Sequence, residues 1–142
     1  MVTSVVGHIF GLDFEEQRVR DIAELFDAKV KKQVEDNTKK LRVIEHLQEL
    51  AAEAEYLVLW LDCDLEGENI GFEVISLCQE WVLYDNVYRA RFSALTQQEL
   101  VNAYQNLARP DKHAAMSVDA RQEMDLKIGV SAVTVTWLEK EC

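Results

Sequence analysis

Proline and glycine are scarce here, one and five in 142 residues. With about half of the residues apolar, that scarcity excludes a disordered or low-complexity chain and fits one globular domain with a real core. No apolar run reaches the roughly 20 residues of a membrane span. The start, "MVTSVVGHIF", lacks the basic region and small-residue cleavage site of a signal peptide. Cysteine is limited to Cys63, Cys78 and Cys142, an odd number without C-x-x-C spacing. This predicts a reducing compartment, with neither a disulfide frame nor a zinc site. Positive charge is also in deficit: 15 bases face 26 acids, for a net charge of −11. Residues 1–70 hold 16 acids and 8 bases, and residues 71–142 hold 10 and 7. An acidic chain is a poor starting point for nucleic-acid binding, which draws on Lys and Arg.

What is present is an unusual turn. The apolar and aromatic run "YLVLWL" leads straight into Asp62, Asp64, Glu66 and Glu68. Six such residues without polar alternation predict a strand buried on both faces. Before it, "TKKLRVIEHLQELAAEAE" repeats Leu41, Ile44, Leu47, Ala51 and Ala54 at helical spacing, one amphipathic helix. After it, Ile70, Val74, Cys78 and Trp81 mark another helix. "NVYRARFSAL" reads as a strand, with Val87, Arg89, Arg91 and Ser93 on one side. Thr96 and Glu99 form a capping box that opens a helix toward Leu107. Pro110 breaks the chain, and a last helix is predicted over residues 112–128. A β-branched run predicts a strand over residues 2–6, ended by Gly7; residues 15–37 read mostly as surface connection, with a short helix around Ile22, Leu25 and Phe26. The tail from Val130 looks strand-like. Alternating strands and helices predict an α/β fold with a mostly parallel sheet.

In parallel sheets, ligands bind at the carboxyl ends of strands. If strand geometry persists through Cys63, Asp62 and Asp64 point to one side. Helix-dipole stabilisation explains acids in a first helical turn such as Glu66 or Glu68, but not the Asp pair. Two readings stand: a hard-cation site of the Mg²⁺ type, with water and phosphate filling the remaining positions, or a solvated acidic loop.

"LWLDCDLEGENIGFEVI" resembles the Toprim motif of type IA DNA topoisomerases, in the eukaryotic topoisomerase III branch. Similar blocks follow in order: "VTSVVGHIFGLDF", "AELFDAKVKK", "VYRARFSALTQQELVNAYQNLARPD" and "SVDARQEMDLKIG". The resemblance implies a Toprim-like α/β domain over residues 1–95, the helical start of the following core region over residues 96–129, and a divergent tail over residues 130–142. It implies Asp62, Asp64 and Glu66 as the Mg²⁺ group. His8 falls on a family Gly-His position, where it is either catalytic or a hydrogen-bonded structural residue. Arg121 and Asp125 match the helix beside the family's DNA path, or form an ordinary i,i+4 ion pair. Arg89 and Arg91 share a strand face that touches phosphate or lies at a solvated edge. The expected partner is single-stranded DNA, with RNA as an alternative, and the expected compartment is the nucleus.

Family members cut one strand with a tyrosine, hold the 5′ phosphate covalently, pass a second strand and reseal. The family's first strand, with its glutamate, would precede Met1, and Leu65 stands where Arg or Lys is usual. None of Tyr56, Tyr84, Tyr88 and Tyr104 matches the nucleophile's context, so the isolated chain is not expected to relax DNA. The alternative is a truncated, inactive stand-alone Toprim protein that binds metal or nucleic acid. A small metal-dependent nuclease is a third class, disfavoured by the missing glutamate.

Overall fold

A computed structural model describes residues 1–15 and 22–141. Among the described residues, four strands and six α-helices run in the order β1 (Phe10–Phe14), α1 (Ile22–Asp27), β2 (Val30–Val34), α2 (Asp36–Lys40), α3 (Val43–Ala52), β3 (Leu57–Leu59), α4 (Leu65–Cys78), β4 (Val87–Arg89), α5 (Gln97–Gln105) and α6 (Lys112–Glu141).

Helical spacing in α4 builds the centre. Val74, Ile75 and Cys78 are buried against Leu59 of β3 and Val87 of β4, in a core that also takes Ile9, Leu47, Ala51 and Val82. Each such aliphatic side chain contributes roughly 1.5–3 kcal/mol when fully buried. Gly71 lets the helix approach the sheet, since a Cβ there would lie 3.2 Å from Leu59 Cδ1. β3 and β4 pair in parallel, Leu57 with Val87 and Leu59 with Arg89, and the turn after β3 leads into α4.

The expected α/β class, with a parallel pair, flanking helices and a C-terminal helical extension, is present. A second ladder, β1 with β2, is antiparallel, Phe10 opposite Val34 and Phe14 opposite Val30. Several expected elements differ. Residues 2–6 are not a strand, because β-branched propensity needs a partner to bond and no described strand lies alongside. The strand comes instead after Gly7 (φ +72°). Within 15–37 the short helix is there as α1, but β2 is an addition; its exposed Lys31, Lys32 and Gln33 give no core signal.

The helix read across residues 38–54 is two. Arg42, left-handed at φ 50° and ψ 42°, separates α2 from α3 and resets the buried face to Val43, Leu47 and Ala51, leaving Leu41 61% exposed. β3 is covered on the Leu57 and Leu59 side alone, and Val58 and Trp60 are exposed. The tail from Val130 to Glu141 is helical rather than strand-like. Extending an existing helix needs no new nucleus, whereas a strand needs a partner. No helix among the described residues is long and apolar enough to cross a membrane.

Candidate metal centre at the end of β3

Asp64 is the N-cap of α4. It sits in extended backbone, and its Oδ1 accepts the Gly67 N–H at 2.7 Å, satisfying one of the helix's orphan donors. Gly67 is required by crowding: a Cβ would fall 2.0 Å from the Asp62 carbonyl oxygen. The strand end and the helix start therefore touch, and Asp62, Cys63 and Asp64 are forced outward as an exposed turn. The Asp62 carboxylate has no side-chain partner among the described residues.

Beneath the turn lies a buried clamp that the sequence did not announce. Arg89, read as a phosphate contact or a solvated edge, is 0% exposed. Its Nε donates to Glu68 Oε1 at 3.0 Å, Nη1 to the carbonyls of Leu61 and Ala90 at 2.9 Å each, and Nη2 to the carbonyl of Asp62 at 2.6 Å. One guanidinium thus binds the backbone of both strand ends. Glu68, 4% exposed, also forms an ion pair with Arg91 at 3.1 Å and accepts from the Asp111 N–H at 3.0 Å. Arg91 is half-exposed and points to the same carboxylate. Glu68 therefore anchors three segments rather than facing solvent. The hint in sequence was an arginine set between Tyr88 and Ala90 in a strand.

A second chain of contacts joins the N-terminal segment to α4 and α6. His8 places Nε2 2.8 Å from Glu66 Oε2 and Nδ1 3.3 Å from Glu73 Oε1. The Ile9 N–H donates to Glu73 Oε2 at 2.7 Å. Burial pushes the Glu73 carboxyl up, against the smaller lowering from Ile9 and His8. For Glu66 burial also raises, but hydrogen bonds and charge from Arg121 and His8 together outweigh it and leave the carboxyl below the usual range. Arg121 of α6 reaches Glu66 Oε1, rather than pairing with Asp125. Asp125 lines a cleft of about 270 Å³ between β1 and α6, with His8, Gly11 and Gln122.

The four acids of the turn are thus divided. Asp62 and Asp64 are exposed, Glu66 is tied to His8 and Arg121, and Glu68 is buried. Among the described residues no three acids, histidines or cysteines gather closely enough to surround one ion. The donor chemistry nevertheless fits a hard cation of the Mg²⁺ kind, which uses one or two carboxylates and keeps several waters. Asp62 and the uncommitted oxygen of Asp64 are such a pair.

Comparison with known proteins shows the family. Residues 1–95 match the Toprim domain family. The chain is 45% identical to DNA topoisomerase 3-beta of Arabidopsis thaliana over 92% of its length, 43% identical to DNA topoisomerase 3-beta-1 of Homo sapiens over 90%, and 41% identical to DNA topoisomerase 3 of Dictyostelium discoideum over 91%. It spans about a sixth of the length of these curated relatives, 16% of each.

Proposed function

The chain belongs to the Toprim domain family, and from that premise we propose that it is the Mg²⁺-binding region of a topoisomerase III-type enzyme acting on single-stranded DNA in the nucleus. The observation that carries this reading is the exposed Asp62–Asp64 pair at the carboxyl end of a parallel strand, set there by Gly67 and the Arg89 clamp. Identity to topoisomerases of the 3 group over nine-tenths of the chain supports DNA as the substrate class.

In this reading Asp62 and Asp64 hold the cation. When bound, it supplies a compact positive charge that neutralises a neighbouring phosphate. The Gly67 N–H keeps one Asp64 oxygen on the helix and leaves the other for the ion. Arg89 fixes the Asp62 backbone and takes no part in contacting DNA. Arg121 and Asp125 are the α6 residues placed along the nucleic acid, and Arg91 a peripheral contact. Residues 96–129 form the start of the following core region. Strand cutting, passage and resealing belong to the whole protein.

The test is thermal. A cation that binds only the native state stabilises it by about 1.4 kcal/mol at tenfold excess over Kd. Millimolar Mg²⁺ should raise the melting temperature of the wild-type chain, and Asp62→Asn, Asp64→Asn should abolish the rise. A full rise in the double variant would sink the proposal, whatever its melting point without metal.

A further inference from the structure

Both oxygens of Glu66 are occupied by protein, Oε2 by His8 and Oε1 by Arg121. Its neighbours in the turn are not held this way. The Asp62 carboxylate has no side-chain partner among the described residues, and Asp64 gives up one oxygen only. Arg121 comes from α6, and α6 meets α4 again one turn further on. There Asn69, 1% exposed, donates from Nδ2 to the Ala115 carbonyl and to Asp119 Oδ1, both at 2.9 Å. Its Oδ1 is buried without a partner. A buried acceptor without a protein partner is costly, and among the described residues this one lies at the α4–α6 contact beside Glu66. The Arg121–Glu66 pair is weakly held too. The side chains are 53% and 36% exposed, and pairs so open to solvent contribute little.

We infer that Arg121, with His8, is a latch that keeps Glu66 off the cation position, so that a divalent cation and the docking of α6 compete for one carboxylate. The inference rests on the reading of Asp62 and Asp64 as the cation pair. In the latched state the ion has two carboxylates at most; releasing Glu66 supplies a third and frees Arg121 at the surface of α6. His8 remains tied to Glu73, whose other oxygen holds the Ile9 N–H, so Arg121 is the arm that lets go. Arg121 and His8 act here as positioning residues.

The experiment measures Mn²⁺ binding by the electron paramagnetic resonance of the free ion, in the wild-type chain and in four variants: Arg121→Gln, Glu66→Gln, the pair combined, and Asp62→Asn, Asp64→Asn. Mn²⁺ shares the oxygen preference of Mg²⁺. Arg121→Gln should tighten binding about fivefold, the scale of one surface ion pair. The gain should vanish in the Glu66→Gln background, whereas simple loss of a nearby positive charge would persist there. Unchanged or weaker binding in Arg121→Gln, or a gain that survives Glu66→Gln, overturns the latch. Binding that survives Asp62→Asn, Asp64→Asn rejects the cation pair itself, a separate failure, and no binding in any variant rejects both. Amide exchange gives a readout independent of affinity. Mn²⁺ should speed exchange across residues 112–121 of the wild-type chain and leave Glu66→Gln unchanged; protection of that stretch instead would also count against the latch.

Discussion

Glu66 and Glu68 stand two residues apart in the first turn of α4, yet they belong to different layers. Glu68 lies in an inner layer with Glu73, both 4% exposed, where each acid is met by protein donors. Glu66 lies in an outer layer with Asp62 and Asp64, open to solvent. A helix advances about 100° per residue, so two positions of separation turn a side chain to nearly the opposite face. One acidic cluster therefore does two jobs. The inner acids fix the shape of the strand end, and the outer acids are left exposed on it, where the proposed ion is placed. Charge count alone would have assigned all four to the same task.

The contrast is sharpest in stability. Removing one partner of a buried pair leaves the other charge uncompensated and typically costs about 3–5 kcal/mol. Arg89→Met should lose that much in urea denaturation and also disorder the acidic turn, because four carbonyl contacts go with the charge. A loss under about 1 kcal/mol would remove the inner layer's structural role.

The pH dependence separates the layers by sign. Burial raises Glu73, so the folded chain holds that proton more tightly than the unfolded one. Its stabilising contribution is full below the unfolded value near 4.5 and is lost as pH rises through the folded value. Glu73→Gln should therefore gain on the wild type as pH climbs through that window, by about 1.4 kcal/mol for each tenfold difference in proton affinity between the folded and unfolded chain. Glu66 is lowered, so its contribution is present above 4.5 and is lost as pH falls through its folded value. Glu66→Gln should show the opposite and smaller slope, one that shrinks with added salt because the group is solvated. Two slopes of the same sign in urea melts from acid to neutral pH would contradict the division.

Much of this was legible beforehand. The acid turn, the spacing of Val74 and Cys78 in α4 and the Thr96 cap rest on local rules, and the structure shows each, with the Glu99 N–H bonded to Thr96 Oγ1 at 3.3 Å. Trp81, read onto the α4 helix, lies beyond its end and is 40% exposed. What escaped depends on partners distant in sequence. The burial of Arg89 needs Glu68, 21 residues back, and the role of Arg121 needs Glu66, 55 residues back. An i,i+4 pair with Asp125 was the nearest local guess, and it was overridden by tertiary packing. β2 escaped because exposed lysines in a ladder leave no hydrophobic period, and Arg42 because nothing in its neighbours forces a left-handed residue.

If the outer acids alone receive the cation, the most direct measurement is a map of paramagnetic line broadening on the backbone amides of the chain at substoichiometric Mn²⁺. Broadening should centre on Asp62, Cys63 and Asp64, extend weakly to Gly67, and disappear in Asp62→Asn, Asp64→Asn. Broadening centred instead on the acids of β1 and α2, or spread evenly over the acidic surface, would mean that the turn is a solvated loop and that the division into layers says nothing about metal.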